Sequence, residues 1–173
     1  KNYNTNTSEN VLINDIVYES NLDYFGEGFA KNYKFLLRNV NSNAKNSIDY
    51  KNSSNINLLT TFIFETKYPL YKTTEEYDNT FIPKLSFRLS PNETKNSTKK
   101  NARLTTNNIF DLDRSGQNDL VETGKSITLG FDFEKINNTD NNSFLSFSSG
   151  VVLRDENNFD LPEQTSLGKK TSD

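Results

Sequence analysis

The sequence contains no cysteine, histidine, methionine or tryptophan, and each absence removes a class of chemistry. Without cysteine or histidine, the chain has no ligand set for a zinc finger or a haem, no disulfide, and no Cys or His nucleophile or base. Only carboxylates, hydroxyls and lysines remain as catalytic groups, and no nucleophile stands at a recognisable spacing from a base. The sequence therefore predicts a protein that is not an enzyme and that needs no cofactor.

Clustered positive charge and long apolar runs are also missing. The 20 basic and 23 acidic side chains give a net charge of −3, which leaves no basic footprint for nucleic acid. No run of about 18 apolar residues is present, so the sequence predicts no transmembrane helix. The apolar share of 32% is low for a soluble domain and argues against a large, dry core.

The chain is nevertheless rich in rings, with 13 Phe and 8 Tyr, and many of these alternate with polar residues. Period-two alternation is clearest over residues 81–90 and 126–134, and it recurs over 58–68 and 144–153. Weaker strands are predicted around 11–24 and 29–40. Long polar connectors at 41–57 and 90–103 and a short turn at 135–142 separate these segments, and no segment has helical spacing. The pattern predicts an all-β antiparallel meander.

Two architectures fit this pattern. A soluble β-sandwich would bury the apolar faces between two sheets, whereas an outer-membrane barrel would turn them to lipid and the polar faces to a wet lumen. The polar composition and strands of about 9–11 residues favour the barrel. A sandwich that binds carbohydrate or calcium is the alternative.

On the barrel hypothesis, the clearest strands divide into two sets of side chains. The lipid-facing candidates are Leu85, Phe87, Leu89, Ile127, Leu129, Phe131 and Phe133. The lumen-facing candidates are Lys84, Ser86, Arg88, Ser126, Thr128, Asp132 and Glu134. Because the polar face is expected to be wet, Lys84 and Arg88 should be solvated charges, and Thr128→Arg should cost little stability.

One polar segment has the ligand spacing of an EF-hand calcium loop. Its oxygen-bearing positions are occupied by Asp111, Asp113, Ser115, Asp119 and Glu122, with Gly116 at the sixth position. An EF-hand needs a helix on each side, but a polar stretch precedes this segment and an alternating strand follows it. Asn118 also replaces the apolar residue expected at the eighth position. We therefore interpret the segment as an acidic loop between strands and predict no metal site.

The same region carries a family resemblance. The segments NIFDLDR at 108–114, ETG at 122–124 and SITLG at 126–130, with Asp119 between them, resemble the LptD family of LPS-assembly outer-membrane proteins, also called organic-solvent-tolerance proteins. YPL at 68–70 and PKLSFRLSP at 83–91 resemble motifs that precede this region in the family. Arg154, DLP at 160–162, SLG at 166–168 and the final Ser172 and Asp173 resemble motifs that follow it. The matches keep the family order, although Asp113 replaces the second asparagine of the central motif.

The resemblance implies that residues 1–173 are part of the barrel domain of a longer chain in the bacterial outer membrane. It also implies non-enzymatic transport of lipopolysaccharide to the outer leaflet. The implied partners are lipopolysaccharide, outer-membrane lipid, an LptE-like lipoprotein plug and periplasmic bridge proteins. A piece of a large transmembrane barrel cannot close on itself, so we expect an open, curved antiparallel sheet with two free edges.

Overall fold

The computed structural model describes residues 6–93, 95–162 and 165–172, so Asp173 of the terminal motif lies outside the described residues. None of the described segments is a helix long and apolar enough to cross a membrane. The strands are β1 (Ser8–Glu19), β2 (Asp23–Phe25), β3 (Phe29–Lys45), β4 (Asn55–Lys67), β5 (Leu70–Thr73), β6 (Tyr77–Ser90), β7 (Gly124–Asn137), β8 (Ser143–Arg154) and β9 (Thr171–Ser172).

These strands form one antiparallel up-and-down sheet in the order β1-β3-β4-β6-β7-β8-β9. The short strands β2 and β5 continue the lines of β1 and β4, pairing with β3 and β6. The sheet is not closed, because β1 forms one edge and β8 pairs with β9 only at Val152 and Leu153. The predicted all-β antiparallel meander is confirmed. The alternative of two stacked sheets is wrong for the part of the chain that the structure describes.

Three predicted connectors have the wrong bounds, and the turn predicted at 135–142 covers only 138–142 because β7 runs to Asn137. β3 runs to Lys45 and β4 starts at Asn55, so the connector between them is shorter than the predicted 41–57. Asn41 and Asn43 fall in the predicted connector, but Asn41 pairs with both β1 and β4 and Asn43 pairs with β1, and this pairing holds them in a strand. The connector between β6 and β7 is longer than predicted and covers residues 91–123.

Pro83 lies inside β6, where a proline normally interrupts strand pairing. It is accommodated because β4 ends at Lys67 and β5 begins at Leu70, which leaves a gap in the neighbouring strand. Within this gap the Pro83 carbonyl accepts a hydrogen bond from the Tyr68 amide at 3.1 Å. On its other side Pro83 pairs with Phe131 of β7.

Adjacent rows of side chains across the sheet differ sharply in polarity. One row crosses five strands through Tyr33, Phe64, Phe87, Ile127 and Leu153. The next row, on the opposite face, runs through Asn32, Glu65, Ser86, Thr128 and Val152. Ile127 is 42% exposed, whereas all five residues of the second row are buried. We call the first surface the apolar face and the second the loop face.

The connections alternate in length between the two ends of the sheet. Residues 26–28, 74–76 and 138–142 make short turns at one end, and residues 46–54, 91–123 and 155–170 make long loops at the other. This alternation follows from the meander, because each strand reverses the direction of the one before it. We call the two ends the short-turn end and the long-loop end.

Candidate functional site

The 91–123 loop folds back over the loop face of the sheet. Ile109, Leu120 and Val121 of this loop are buried, although loops usually run over the surface. The 155–170 loop contributes Leu161 and Leu167, which form a small apolar cluster with Ala102. The polar face of the sheet is therefore covered by the chain itself at the long-loop end.

A pair of glycines makes room for the loop. Gly130 of β7 and Gly150 of β8 are directly paired. A Cβ atom on Gly130 would lie 3.0 Å from the Phe110 ring, and one on Gly150 would lie 3.0 Å from the Ile109 side chain. The missing side chains leave a depression in the loop face, which Ile109 and Phe110 occupy.

At the centre of the covered region, Glu122 is held by two arginines. Arg114 of the loop donates from Nη2 to Glu122 Oε1 at 2.6 Å and from Nε to Oε2 at 2.7 Å. Arg154 of β8 pairs with the same carboxylate. Arg114 also donates to Ser126 Oγ at 2.9 Å and to Thr128 Oγ1 at 3.3 Å on β7. The Glu122–Arg114 pair thus links the loop to β8 through Arg154 and to β7 through Ser126 and Thr128.

The charges around Glu122 determine its protonation state. Burial by itself raises the pKa of a carboxyl group. The positive charges of Arg114, Arg88 and Arg154, together with the hydrogen bonds from Arg114, outweigh burial and lower the pKa of Glu122 to about 2. The carboxylate is therefore ionised throughout the neutral and mildly acidic range.

Arg38 of β3 makes a second anchor. Its Nε and Nη2 donate to the two carboxylate oxygens of Asp15 on β1 at 2.9 and 2.8 Å. Its Nη1 donates to Asp113 Oδ2 at 2.9 Å and to the backbone carbonyls of Gln117 and Leu120 at 2.7 and 3.0 Å. This planar, multi-donor geometry is one that arginine supplies and lysine does not. The guanidinium therefore joins β1, β3 and the loop.

Arg88 of β6 binds backbone oxygens of the loop. Its Nη1 donates to the Asp111 carbonyl at 2.8 Å, and its Nη2 donates to the Leu112 carbonyl. Arg88 is 2% exposed, so the expectation that it is a solvated charge on a wet face is wrong. Arg88 is buried because the 91–123 loop docks over it, and the alternating pattern of the strands does not predict this docking.

The loop also corrects the expectation for Thr128. This side chain is 2% exposed and its hydroxyl accepts a hydrogen bond from Arg114. An arginine at position 128 would place a second guanidinium beside Arg114 in closed space. We therefore expect Thr128→Arg to be strongly destabilising instead of nearly neutral.

A third anchor lies closer to the surface, at Asp119. Lys95 and Tyr50 bind its carboxylate, with the Tyr50 hydroxyl donating to Oδ2 at 2.9 Å. Burial opposes ionisation of Asp119, but the hydrogen bonds from Lys95 and Tyr50 prevail and lower its pKa. Burial and the neighbouring Asp119 charge raise the pKa of Tyr50 well above its usual value. This anchor connects the 91–123 loop to the 46–54 loop.

The acidic side chains with EF-hand spacing do not converge, although the Ser115 hydroxyl donates to Asp113 Oδ1. Asp113 binds Arg38 and the Ser115 amide, Asp119 binds Lys95 and Tyr50, and Glu122 binds Arg114 and Arg154. Over residues 6–93, 95–162 and 165–172, no three acidic side chains are grouped so as to hold a metal ion. Asp113, Asp119 and Glu122 serve as attachment points for the docked loop, whereas the side chain of Asp111 is exposed and only its backbone carbonyl binds Arg88.

The two predicted sets of strand side chains lie on opposite faces of the sheet, as the alternation requires. Leu85, Phe87, Leu89, Ile127, Leu129, Phe131 and Phe133 share the apolar face. Ser86, Arg88, Ser126 and Thr128 are buried on the loop face. On that face Lys84 and Asp132 form a partly exposed ion pair, and Glu134 is exposed near the short-turn end. What each face contacts outside this chain stays a prediction.

Sequence reasoning missed Arg38, Arg114 and Arg154 as anchors. A compositional signal was present, because the chain has only five arginines among its 20 basic residues, and four of the five are buried. Arginine is the preferred cation in buried, multiply hydrogen-bonded pairs. Because arginine is rare in this lysine-rich chain, the few positions that carry it indicate structural roles.

Comparison of the chain with family models and with curated protein sequences finds no match. The resemblance to LPS-assembly outer-membrane proteins therefore stays a prediction from the motifs quoted above. The geometry of the two faces and of the docked loop is independent of it.

Proposed function

We propose that this chain forms part of the wall of an outer-membrane β-barrel that transports lipopolysaccharide. In this arrangement the apolar face contacts lipid, and the loop face lines the lumen. The observation that carries the proposal is the inversion between neighbouring rows, in which apolar side chains are exposed and polar ones are buried. In water this exposure would be unfavourable, because burial of apolar surface is the main force that favours folding. In a bilayer the same surface needs no cover.

The dimensions of the apolar face support this proposal. On β3 the outward side chains from Phe29 to Leu37 are apolar or aromatic apart from Lys31, and the next three are Asn39, Asn41 and Asn43. A transmembrane β-strand needs about 9–11 residues to cross the hydrocarbon layer. Residues 29–37 match this length, and the asparagines extend the strand into water.

The lengths of the connections indicate which end of the sheet faces the periplasm. Outer-membrane barrels have short periplasmic turns and longer extracellular loops. The short-turn end therefore faces the periplasm in our proposal, and the 91–123 loop enters the lumen from the extracellular side. The alternation is regular across all the described connections.

The assignment of lipopolysaccharide as the substrate rests on the motif resemblance. The loop face is chemically suited to this role, because Asp15, Glu19, Lys34, Arg38 and Asp113 line a cleft beside the docked loop. Fixed charges of both signs next to water can accommodate sugars and phosphates, while the lipid chains of an amphiphile need a hydrophobic environment. Such transport breaks no covalent bond, so no catalytic residue is required.

The membrane assignment is tested by site-specific quenching. The full-length protein would carry one fluorophore on a cysteine introduced at Leu129 or Glu134 and would be reconstituted in vesicles that contain nitroxide-labelled lipid. We expect strong quenching at position 129, on the apolar face, and weak quenching at position 134, which is exposed on the loop face. Equal quenching at both positions would refute the assignment of the faces.

The substrate assignment is tested by photocrosslinking in living cells. A photoreactive amino acid replaces Lys34 or Glu134 on the loop face, or Phe147 on the apolar face, in the full-length protein. We expect adducts with lipopolysaccharide at the first two positions and weaker ones at Phe147. A folded barrel that yields phospholipid adducts at Phe147 but no lipopolysaccharide adducts at Lys34 or Glu134 would retain the membrane assignment and refute the substrate.

A further inference from the structure

Two clusters that combine aromatic rings with a lysine lie on the apolar face close to the short-turn end. The first, around the 26–28 turn, contains Phe25, Phe29, Tyr68 and Lys31. The second, beside the 138–142 turn, contains Tyr77, Phe144 and Lys135. We call them the first and second rim clusters.

In the first rim cluster, three rings form a continuous stack. Phe29 packs against Phe25 with the ring centroids 5.5 Å apart and against Tyr68 at 4.5 Å. The Lys31 ammonium lies 5.2 Å from the centre of the Phe25 ring and 3.2 Å from Asp23 Oδ2. The Asp23 side chain is 68% exposed, so water weakens its hold on the lysine charge.

In the second rim cluster, the lysine lies over two rings. The Lys135 ammonium is 3.8 Å from the centre of the Tyr77 ring and 5.3 Å from that of Phe144, and the two ring centroids are 5.4 Å apart. No carboxylate in the described part of the chain lies within ion-pair distance of Lys135. The rings hold the ammonium in place without neutralising its charge.

Both lysines occupy equivalent positions along their strands. Lys31 lies two residues from Phe29, where β3 begins, and Lys135 lies two residues from Asn137, where β7 ends. Each lysine is therefore close to the short turn that follows or precedes its own strand. On β3 the corresponding surface at the long-loop end carries the neutral side chains of Asn39, Asn41 and Asn43.

We propose that the two rim clusters bind the headgroup phosphates of anionic phospholipids in the leaflet at the short-turn end. This inference rests on the proposed position of the chain in a membrane. Aromatic rings favour the boundary between hydrocarbon and water, and lysine extends its apolar stem along such a surface so that its ammonium reaches the headgroups. The Lys135 ammonium, which has no protein carboxylate, then takes a lipid phosphate as its counter-ion, and Lys31, whose partner Asp23 is largely exposed, shares one.

The experiment uses electron paramagnetic resonance on the full-length protein in phosphatidylcholine vesicles. Trace amounts of spin-labelled phosphatidylglycerol or phosphatidylcholine report the lipid fraction that the protein surface immobilises. We expect the wild-type protein to associate with phosphatidylglycerol about twofold more strongly than with phosphatidylcholine, and the double variant K31Q/K135Q to show no preference. The matched control is K51Q, which removes an exposed lysine from the 46–54 loop and should leave the preference unchanged.

The outcomes distinguish this inference from the proposed function. If the wild-type protein and the variant immobilise equal amounts of phosphatidylcholine, both are inserted in the bilayer. An absent preference in the wild type, or a preference that survives in K31Q/K135Q, would then overturn the lipid site alone. If no lipid is immobilised in any sample, the membrane assignment fails as well.

Discussion

The two faces of this sheet are built from neighbouring residues of the same strands, yet their exposure is opposite to that of a soluble protein. Leu129 on the apolar face is 43% exposed, while Thr128 beside it is 2% exposed. The apolar face is covered by nothing in the described chain, and the loop face is covered by a docked loop. Most of the buried polar side chains on the loop face are hydrogen-bonded, many of them to arginines or to backbone groups of the docked loop.

The two faces also differ in what maintains them. On the loop face the loop is attached through charged hydrogen bonds, which are costly to break one partner at a time. On the apolar face, neighbouring rings contact one another, as Phe131 does with Phe81 and Phe147 at centroid distances of 5.3 and 5.7 Å. The following substitutions test the difference, from the largest expected effect to the smallest.

Removal of the Glu122 carboxylate should have the largest effect. Glu122→Ala leaves Arg114 and Arg154 buried without their counter-ion, and we expect a loss of about 3–5 kcal/mol in the free energy of unfolding. Urea unfolding of the full-length protein in detergent measures the loss, and faster proteolysis within residues 91–123 would show that the loop has detached. Glu156→Ala, which removes an exposed carboxylate from the 155–170 loop, is the control.

A charge placed on the apolar face should destabilise the protein slightly less than Glu122→Ala does. Leu129→Arg is expected to destabilise the protein by about 2–4 kcal/mol if the residue lies near the centre of the bilayer. Glu134→Arg, at an exposed position on the opposite face of β7, should change stability by less than about 0.5 kcal/mol. The measurement is a folding titration into vesicles. Equal losses of stability for Leu129→Arg and Glu134→Arg would contradict the assignment of the two faces.

The glycine depression offers a smaller and more local test. In Gly130→Ala the new Cβ atom would lie 2.7 Å from the Ser149 carbonyl oxygen and 3.0 Å from the Phe110 ring. Because the nearer contact is backbone, the loop and the strand must shift, and we expect a cost of about 1–3 kcal/mol. A double-mutant cycle with Phe110→Ala isolates the contribution of the loop, and strictly additive effects would contradict direct contact.

Acidification should have the smallest effect, a partial loss of the stability that the ionised Glu122 gives to the docked loop. The pKa of Glu122 is about 2 in the folded protein against 4.5 for an unperturbed glutamate, so its ionisation stabilises the fold fully above pH 4.5. This contribution is lost progressively as the pH falls toward 2, and at pH 3.5 the loss is about 1 kcal/mol. Fluorescence anisotropy of a dye at Asn107 measures loop mobility across this range. Glu122→Gln should remove the part of the transition that belongs to this residue.

Much of the fold was predictable because strand geometry is local. Side chains alternate between faces along any extended chain. The alternation over residues 81–90 and 126–134 was therefore enough to predict which residues share a surface. The start of β3 at Phe29 was predicted, but its end was missed because Asn41 and Asn43 have low strand propensity, and strand pairing overrides that preference. The anchors were missed for a different reason, since Arg38 and Asp113 are far apart in sequence and meet only after the loop folds back.

The alternation alone determined that this chain makes a two-faced antiparallel sheet, because the geometry of a strand is fixed within a few residues. Only the tertiary structure decided that the polar face is closed over by residues 91–123. That outcome depends on contacts between distant segments, including Arg38 with the loop carbonyls and Glu122 with Arg154. No periodicity encodes such contacts, because they form between groups that approach one another only when the sheet is complete.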